Sequence, residues 1–289
     1  MKKVFITYAE GLFVKNKLFA LKMAELRGGF DSTIGYSRED IDAEFYQNNH
    51  RILNIKKGAG YWLWKPYFIY KALNELNNGD LLFYSDAGSF FCRDINVIYN
   101  ELALYNQDIM AFELPLIELQ WTKQELFNNM DCNQDSYKYS NQINSSFHFV
   151  VKSELSLKFY KEYLKVACNM LNISDDFEEG VNQHESFISH RYDQSIFSLL
   201  YKKYNFTGFK DPTQFGKYPQ SYTECVDKNV LMDTLSISDS GRKFIYKNYK
   251  EAYKGVIFHN RLGNPLLRFS KYKVKEFLFL LNLYKGIIK

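Results

Sequence analysis

Long apolar runs, paired cysteines and phosphate-binding glycine motifs are all missing from this sequence. No stretch of ~18 consecutive apolar residues occurs, so no membrane-spanning helix is expected. The four cysteines, Cys92, Cys132, Cys168 and Cys225, form no Cys-x-x-Cys pair. That argues against a zinc ribbon or a dithiol redox motif, and four cysteines in a chain this long do not make a disulfide scaffold. Neither Gly-x-Gly-x-x-Gly nor Gly-x-x-x-x-Gly-Lys-Ser/Thr is found. A dinucleotide Rossmann site and a P-loop are therefore unsupported. The apolar start of the chain is broken at Glu10 and reads as a first strand, not as a signal peptide. A reducing, cytoplasmic location is the matching expectation.

What remains is a globular composition. The chain has 289 residues, 46% hydrophobic and 24% charged, which excludes disorder as the main state and allows one large domain with a real core. Phe and Tyr supply 25 and 23 residues. AT-rich codon usage accounts for that excess as well as sugar or base stacking does, so it selects no ligand.

Charge is localised. The formal net charge is +4, yet residues 268–289 alone carry +5. The body is thus close to neutral, and a broad nucleic-acid-binding surface is not expected. In the tail, Val274, Phe277, Leu278, Leu281, Tyr284 and Ile288 recur at three- and four-residue steps and share one helix face, which Phe279, Leu280 and Leu283 widen. Lys271, Lys275, Lys285 and Lys289 fall largely elsewhere. Such a helix fits an anionic membrane surface and equally a C-terminal helix docked on the core with solvated lysines.

Strands are expected over residues 3–8, 32–36, 81–84, 108–112, 145–151 and 255–259. Helices are expected over 15–27, from Ser37, over 66–76, 94–105, 153–171 and 191–204. Gly28-Gly29 stops the first helix. Ser37-Arg38-Glu39-Asp40 and Thr122-Lys123-Gln124-Glu125 read as capping boxes. Strand–helix alternation through the first 115 residues argues for an α/β fold with a mainly parallel central sheet and helices on both faces. The division expected is 1–265 for this domain and 266–289 for the basic amphipathic helix.

Asp86 is the most informative single residue. It follows the apolar run Leu81–Tyr84 at its carboxyl end, where open α/β sheets bind ligands. A carboxylate there can hold a divalent cation that clamps a diphosphate, or simply close an Asp-Gly turn. The wider segment narrows the choice. Gly58-Ala59-Gly60-Tyr61-Trp62-Leu63-Trp64-Lys65-Pro66-Tyr67, followed by Tyr84-Ser85-Asp86-Ala87-Gly88, resembles the Gly-Tyr-Trp-x-Trp-Lys-Pro-Tyr and Tyr-x-Asp-Ala-Gly blocks of bacterial glycosyltransferases. These are the GT-A-type enzymes of capsule, O-antigen and lipooligosaccharide clusters, and the likeness covers roughly residues 1–200.

The resemblance implies transfer of a sugar from a nucleoside diphosphate, UDP foremost, to a surface-glycan acceptor that is lipid-linked. The basic amphipathic C-terminal helix adds the expectation of a peripheral position on the inner membrane face. Asp86, Ala87 and Gly88 would meet the donor, with Asp86 matching the first Asp of Asp-x-Asp and Gly88 replacing the second. That replacement puts dependence on Mn²⁺ or Mg²⁺ in question. His259 resembles the late metal-binding His of several GT-A families, and is otherwise a strand-end histidine. Arg261 would pair with the diphosphate. Asp193, in an Asp-Gln pair, would act as general base or acceptor contact, or else only complement a helix N-terminus. Glu118, in a Glu-x-x-Trp-Thr-Lys string, and Glu113 are further acceptor-side candidates. Lys65 would reach phosphate. Thr7 and Tyr8, ending the first strand, are placed for nucleoside contacts. One of Trp62 and Trp64 is structural. A sugar-phosphate nucleotidyltransferase and a non-catalytic glycan-binding module stay open as alternatives.

Overall fold

The computed structural model describes residues 1–218, 232–238, 240–251, 253, 255–260 and 263–281. Its centre is a seven-stranded sheet. The strands are β1 (Lys3–Tyr8), β2 (Ser32–Tyr36), β3 (Leu81–Ser85), β4 (Ser89–Phe91), β5 (Ile109–Ile117), β6 (Asn141–Val151), β7 (Ser236–Ile237), β8 (Lys243–Phe244) and β9 (Ile257–His259). The sheet order is β2-β1-β3-β6-β5-β8-β7, and β4 pairs with β9 in a separate two-stranded ladder.

The parallel arrangement expected from the alternation is confined to β2, β1 and β3. Beyond β3 the sheet turns antiparallel: β6 runs against both β3 and β5, and β8 runs against β5. The α/β class stands, and the sheet is mixed. The cause is connectivity. The chain between β5 and β6 forms three short helical turns, Glu118–Trp121, Gln124–Asn129 and Asp135–Lys138. Antiparallel neighbours need no crossover helix packed over the sheet.

Helices cover both faces, as the burial of successive strand residues requires. We name α1 (Val14–Met23), α2 (Ala43–Leu53), α3 (Trp64–Asn74), α4 (Asn96–Leu102), α5 (Glu154–Ala167), α6 (Asp193–Lys203) and α7 (Pro265–Leu280). On one face Val4, Ile6, Leu82 and Tyr84 pack with Phe68 of α3, Phe159 of α5 and Phe197 of α6. On the other, Phe5, Leu81 and Phe83 pack with Ala20 of α1 and Ile98 of α4. Each fully buried Phe or Leu here contributes about 1.5–3 kcal/mol of transfer free energy.

Several local expectations change. The Ser37–Asp40 capping box forms, but on a single 3₁₀ turn, Arg38–Asp40, and α2 starts only after Asp42. The Thr122–Glu125 box does not form. Lys123 occupies the cap, the Thr122 hydroxyl donates to Glu118, and Glu125 accepts from the Glu178 N–H and Gln183 Nε2. The long helix breaks after Ala167, and a single turn, Met170–Ile173, follows it.

Helix α7 docks by a different face from the one its periodicity suggested. Tyr272 packs on Phe258 of β9, Phe269 on Phe90 and Phe258, and Phe279 on Tyr218. Val274, Phe277 and Leu281 remain exposed. Tyr284, Ile288 and the last lysines lie outside the described residues. Among the described residues no helix is long and apolar enough to cross a membrane.

Candidate functional site

The carboxyl ends of β1 and β3 open into a cleft of ≈ 1220 Å³. Its floor is built from three distant parts of the sequence. Asp86 follows β3 directly. Lys65 is the second residue of α3, and Asp193 is the first residue of α6. The Lys65 side chain is only 2% exposed, and its ammonium lies 2.8 Å from Asp193 Oδ2 and 3.4 Å from Asp86 Oδ1. It also donates to Ser145 Oγ of β6 at 3.2 Å. One buried cation therefore ties a carboxylate of the parallel half of the sheet to a carboxylate on a helix beyond β6.

Among the described residues, the bonds to each carboxylate side chain fall on one of its two oxygens. Tyr84 donates to Asp86 Oδ1, the oxygen that also faces Lys65. Asp86 keeps 29% of its side chain exposed. Asp193 Oδ2 accepts from Ser145 Oγ at 2.9 Å and from the Tyr163 hydroxyl at 3.2 Å as well as from Lys65. These bonds all fall on Oδ2, and Asp193 lines the cleft. Burial pushes the Asp193 carboxyl above its ordinary range, against the pull of Lys65. Burial also opposes charge on Lys65, but the two carboxylates outweigh it and hold the ammonium protonated.

The cleft wall explains the Gly-Ala-Gly-Tyr-Trp string. Gly58, Ala59, Gly60, Tyr61 and Trp62 all have positive φ, a left-handed run that non-glycine residues seldom adopt. Two of the glycines are also required by space. A Cβ on Gly58 would fall 2.3 Å from the Trp62 ring, and one on Gly60 would fall 2.7 Å from Leu53 Cα. The run turns Tyr61 and Trp62 onto Tyr192, at ring-centroid distances of 5.3 and 5.2 Å. Tyr192 itself has φ +53° just ahead of α6. Strain of this kind persists where packing over-determines it, commonly at functional sites. Here it fixes the approach of Asp193. His190 adds to that fixing: its Nε2 donates to the Asn172 carbonyl at 2.9 Å, and burial pushes its pKa down to about 3, which keeps it neutral.

The opposite rim is the β4–β9 ladder. Ser89 pairs with His259 in register, and Ser89 Oγ is 2.9 Å from His259 Nδ1. The Asn260 N–H donates to the Gly88 carbonyl at 2.6 Å, so this late strand is stitched to the Asp86-Ala87-Gly88 turn.

Asp86, Ala87, Gly88, Lys65, Tyr8, Asp193 and His259 all line the cleft. Four sequence-based assignments change or drop out. Thr7 is buried below the cleft and does not line it. Lys65 does reach the cleft, but its ammonium is committed to Asp193, Asp86 and Ser145 rather than left for phosphate. Glu118 is fully buried outside the cleft, accepting from Thr122, Gln142, Ser198 and Lys202. Its geometry is that of an internal ion pair, not of a group open to an acceptor. Glu113 likewise bonds Lys247 and Tyr249 away from the cleft. Arg261 lies outside the described residues. Both Trp62 and Trp64 line the cleft; Trp64 is the buried one, stacked 4.0 Å from Tyr8 with its Nε1 donating to the Gly58 carbonyl.

Sequence reasoning missed Lys56, Arg191 and Trp121, which also line the cleft. The Arg191 guanidinium sits 4.3 Å from the Trp121 ring centroid. Its adjacency to the Asp193-Gln194 pair was the available signal.

The donor set tests for a metal. Asp86 and His259 offer one carboxylate and one imidazole on the same cleft. Among the described residues no group of three or more His, Cys, Asp or Glu converges on a point. These residues fit an open site, in which phosphate oxygens and water complete the shell, and not a closed protein cage.

No protein-family model and no curated protein matches the chain. In structure it is similar to apo mouse xyloside xylosyltransferase 1, at 9% identity over 92% of this chain and 98% of that one, TM-score 0.46. It is similar to apo GlyE of Streptococcus pneumoniae TIGR4, at 10% identity over 90% of this chain and 54% of that one, TM-score 0.41. It is also similar to the galactosyltransferase LgtC in complex with donor and acceptor sugar analogues, at 11% identity over 92% and 88%, TM-score 0.44. TM-scores below 0.5 at these identities leave function to the residues of the cleft.

Proposed function

We propose that this protein is a GT-A-type glycosyltransferase. It moves a sugar from a nucleoside-diphosphate donor, UDP-linked, to a hydroxyl of a glycan acceptor. The observation that carries this reading is the pair of carboxylates held by one buried lysine at the carboxyl end of the sheet. Asp86 stands at the donor side and Asp193 at the acceptor side of one cleft.

In the reaction the acceptor oxygen forms a bond to the anomeric carbon, the bond from that carbon to the diphosphate oxygen breaks, and the acceptor proton goes to Asp193 Oδ1. A carboxylate raised by burial suits that proton transfer, because its basicity lies nearer to neutral pH. Lys65 keeps Asp193 ionised and fixed while it waits. Tyr8 and Trp62 supply aromatic faces for the nucleoside and sugar. Arg191 and Lys56 supply positive charge for the diphosphate. A divalent cation, when bound by Asp86 and His259, would neutralise the leaving diphosphate. The acceptor is taken as a lipid-linked surface-polysaccharide intermediate, with the enzyme working on the cytoplasmic side.

Thermal unfolding against UDP, GDP and CMP and their sugars, with and without Mn²⁺, tests the reading. A ligand at ~100 Kd adds about 2.7 kcal/mol of stability. One nucleotide series should raise the midpoint. A midpoint unmoved by every nucleotide would overturn the transferase and favour a glycan-binding module.

A further inference from the structure

Helix α7 carries an apolar face that the described residues do not cover. Leu266, Leu267, Val274, Phe277, Leu280 and Leu281 are 49–66% exposed. At 100° per residue they fall on one side of the helix, opposite much of the face that Phe269, Tyr272, Glu276 and Phe279 press against the body. Leu267, Val274 and Leu281 are seven residues apart, and the strip runs about 22 Å along the helix axis. Exposed Ser270 and Lys273 interrupt it between Leu267 and Val274, and the cluster Val274, Phe277, Leu280 and Leu281 is the kind of exposed apolar patch that marks something it binds.

The charges choose the occupant. From Pro265 to Leu281 the chain has four cations, Arg268, Lys271, Lys273 and Lys275, and one acid, Glu276. Glu276 is buried and spent internally: it accepts from Lys217 at 2.6 Å, Tyr272 at 2.7 Å and Lys273 at 3.0 Å. A second copy of this chain on the same face would bring cations against cations, with no acid left to meet them. An anionic bilayer meets both features, headgroups for the lysines and acyl chains for the strip.

Position adds a consequence. Phe258 packs on Tyr272 and Phe269 of α7, and the next residue, His259, lines the cleft. Phe215 lines the cleft, while Lys217 and Tyr218, two and three residues on, touch α7. We propose that α7 lies in the surface of an anionic membrane through this strip, and so holds the His259 rim of the cleft next to the lipid. The binding stands on the helix alone. Its use, presenting the cleft to a lipid-linked acceptor, rests on the transferase reading.

The test is co-sedimentation of the full chain with phosphatidylcholine vesicles, with and without phosphatidylglycerol. Wild type should sediment with the anionic vesicles, and less so in high salt. Val274→Glu with Phe277→Glu should abolish sedimentation without moving the unfolding midpoint, because both side chains are exposed. Lys271→Gln should weaken it about fivefold, the effect of one nearby cation. Leu104→Glu, at an equally exposed leucine on another face, should change nothing. Failure of wild type to bind anionic vesicles, or undiminished binding by the double variant, overturns the proposal. So does a wild-type dimer in sedimentation velocity that the double variant converts to monomer without any vesicle binding. The nucleotide-induced midpoint shift, measured on the same double variant, should persist. Its absence in wild type as well would count against the transferase reading and leave the membrane result standing.

Discussion

Replacing Lys65 with Met removes the ammonium from between two carboxylates and leaves a side chain of similar length. In the wild-type chain Lys65 is 2% exposed and bonds Asp193 at 2.8 Å. Breaking a buried pair from one side costs about 3–5 kcal/mol, because the remaining charge is left uncompensated. The size of the cost depends on pH, and the sign follows from Asp193. Burial already raises its carboxyl above the ordinary range, with Lys65 opposing. Without Lys65, burial and the Asp86 charge act together, and the folded-state value rises further. The unfolded value stays near ~3.9. A group raised in the folded state keeps its full contribution below the unfolded value and loses it as pH rises through the folded value. The variant should therefore be close to wild type in urea unfolding at about pH 4, and its deficit should grow toward about 3–5 kcal/mol by pH 8. On an Asp193→Asn background the same replacement should cost less than about 2 kcal/mol, since no buried charge remains. A deficit under about 1 kcal/mol at pH 8, or one that is flat with pH, would refute the reasoning.

Three further outcomes are expected. Asp86→Ala should lower sugar transfer per folded molecule by about 10²-fold or more, because its loss removes a donor contact, and should destabilise by about 1–3 kcal/mol, because the buried Tyr84 hydroxyl loses its acceptor; wild-type turnover in the variant would remove Asp86 from the site. Gly60→Ala should destabilise by about 3 kcal/mol, from a positive φ of 98° and a Cβ placed 2.7 Å from Leu53 Cα, and a neutral effect in calorimetry would contradict the left-handed wall. Glu118→Gln should cost about 2 kcal/mol through Lys202, its 2.6 Å partner, with the transfer rate per folded molecule unchanged; a selective loss of rate would return Glu118 to the acceptor side.

Residues whose role is set by local pattern were readable in the sequence. Asp86 stands out because an apolar run ends on it, and β3 covers that run with one residue added. Gly58 and Gly60 are plain in the sequence, but that the whole 58–62 run is left-handed appears only in the fold. Roles that depend on strand order were hidden. Lys65 beside a helix start has the appearance of a phosphate ligand. It becomes an internal tether only because β6 runs antiparallel to β3 and carries Ser145, with α6 behind it, to the same end of the sheet. Glu118 shares its string with a cleft residue, Trp121, yet the helical turn Glu118–Trp121 sends the carboxylate inward to Lys202. In α7 the periodicity was correct and the buried face was not, because Tyr272 and Glu276, a polar pair by composition, make the contact with the body.

Release of nucleoside diphosphate from a series of nucleotide sugars, with a glycan acceptor present, tests the transferase most directly. Wild type should release it from one donor series, and Asp193→Asn should be slower by about 10²-fold or more per folded molecule, a loss counted apart from the stability it gives up with the Lys65 pair. No release from any donor, or equal release by the variant, would contradict the assignment of Asp86 and Asp193 to the two sides of a glycosyl-transfer site.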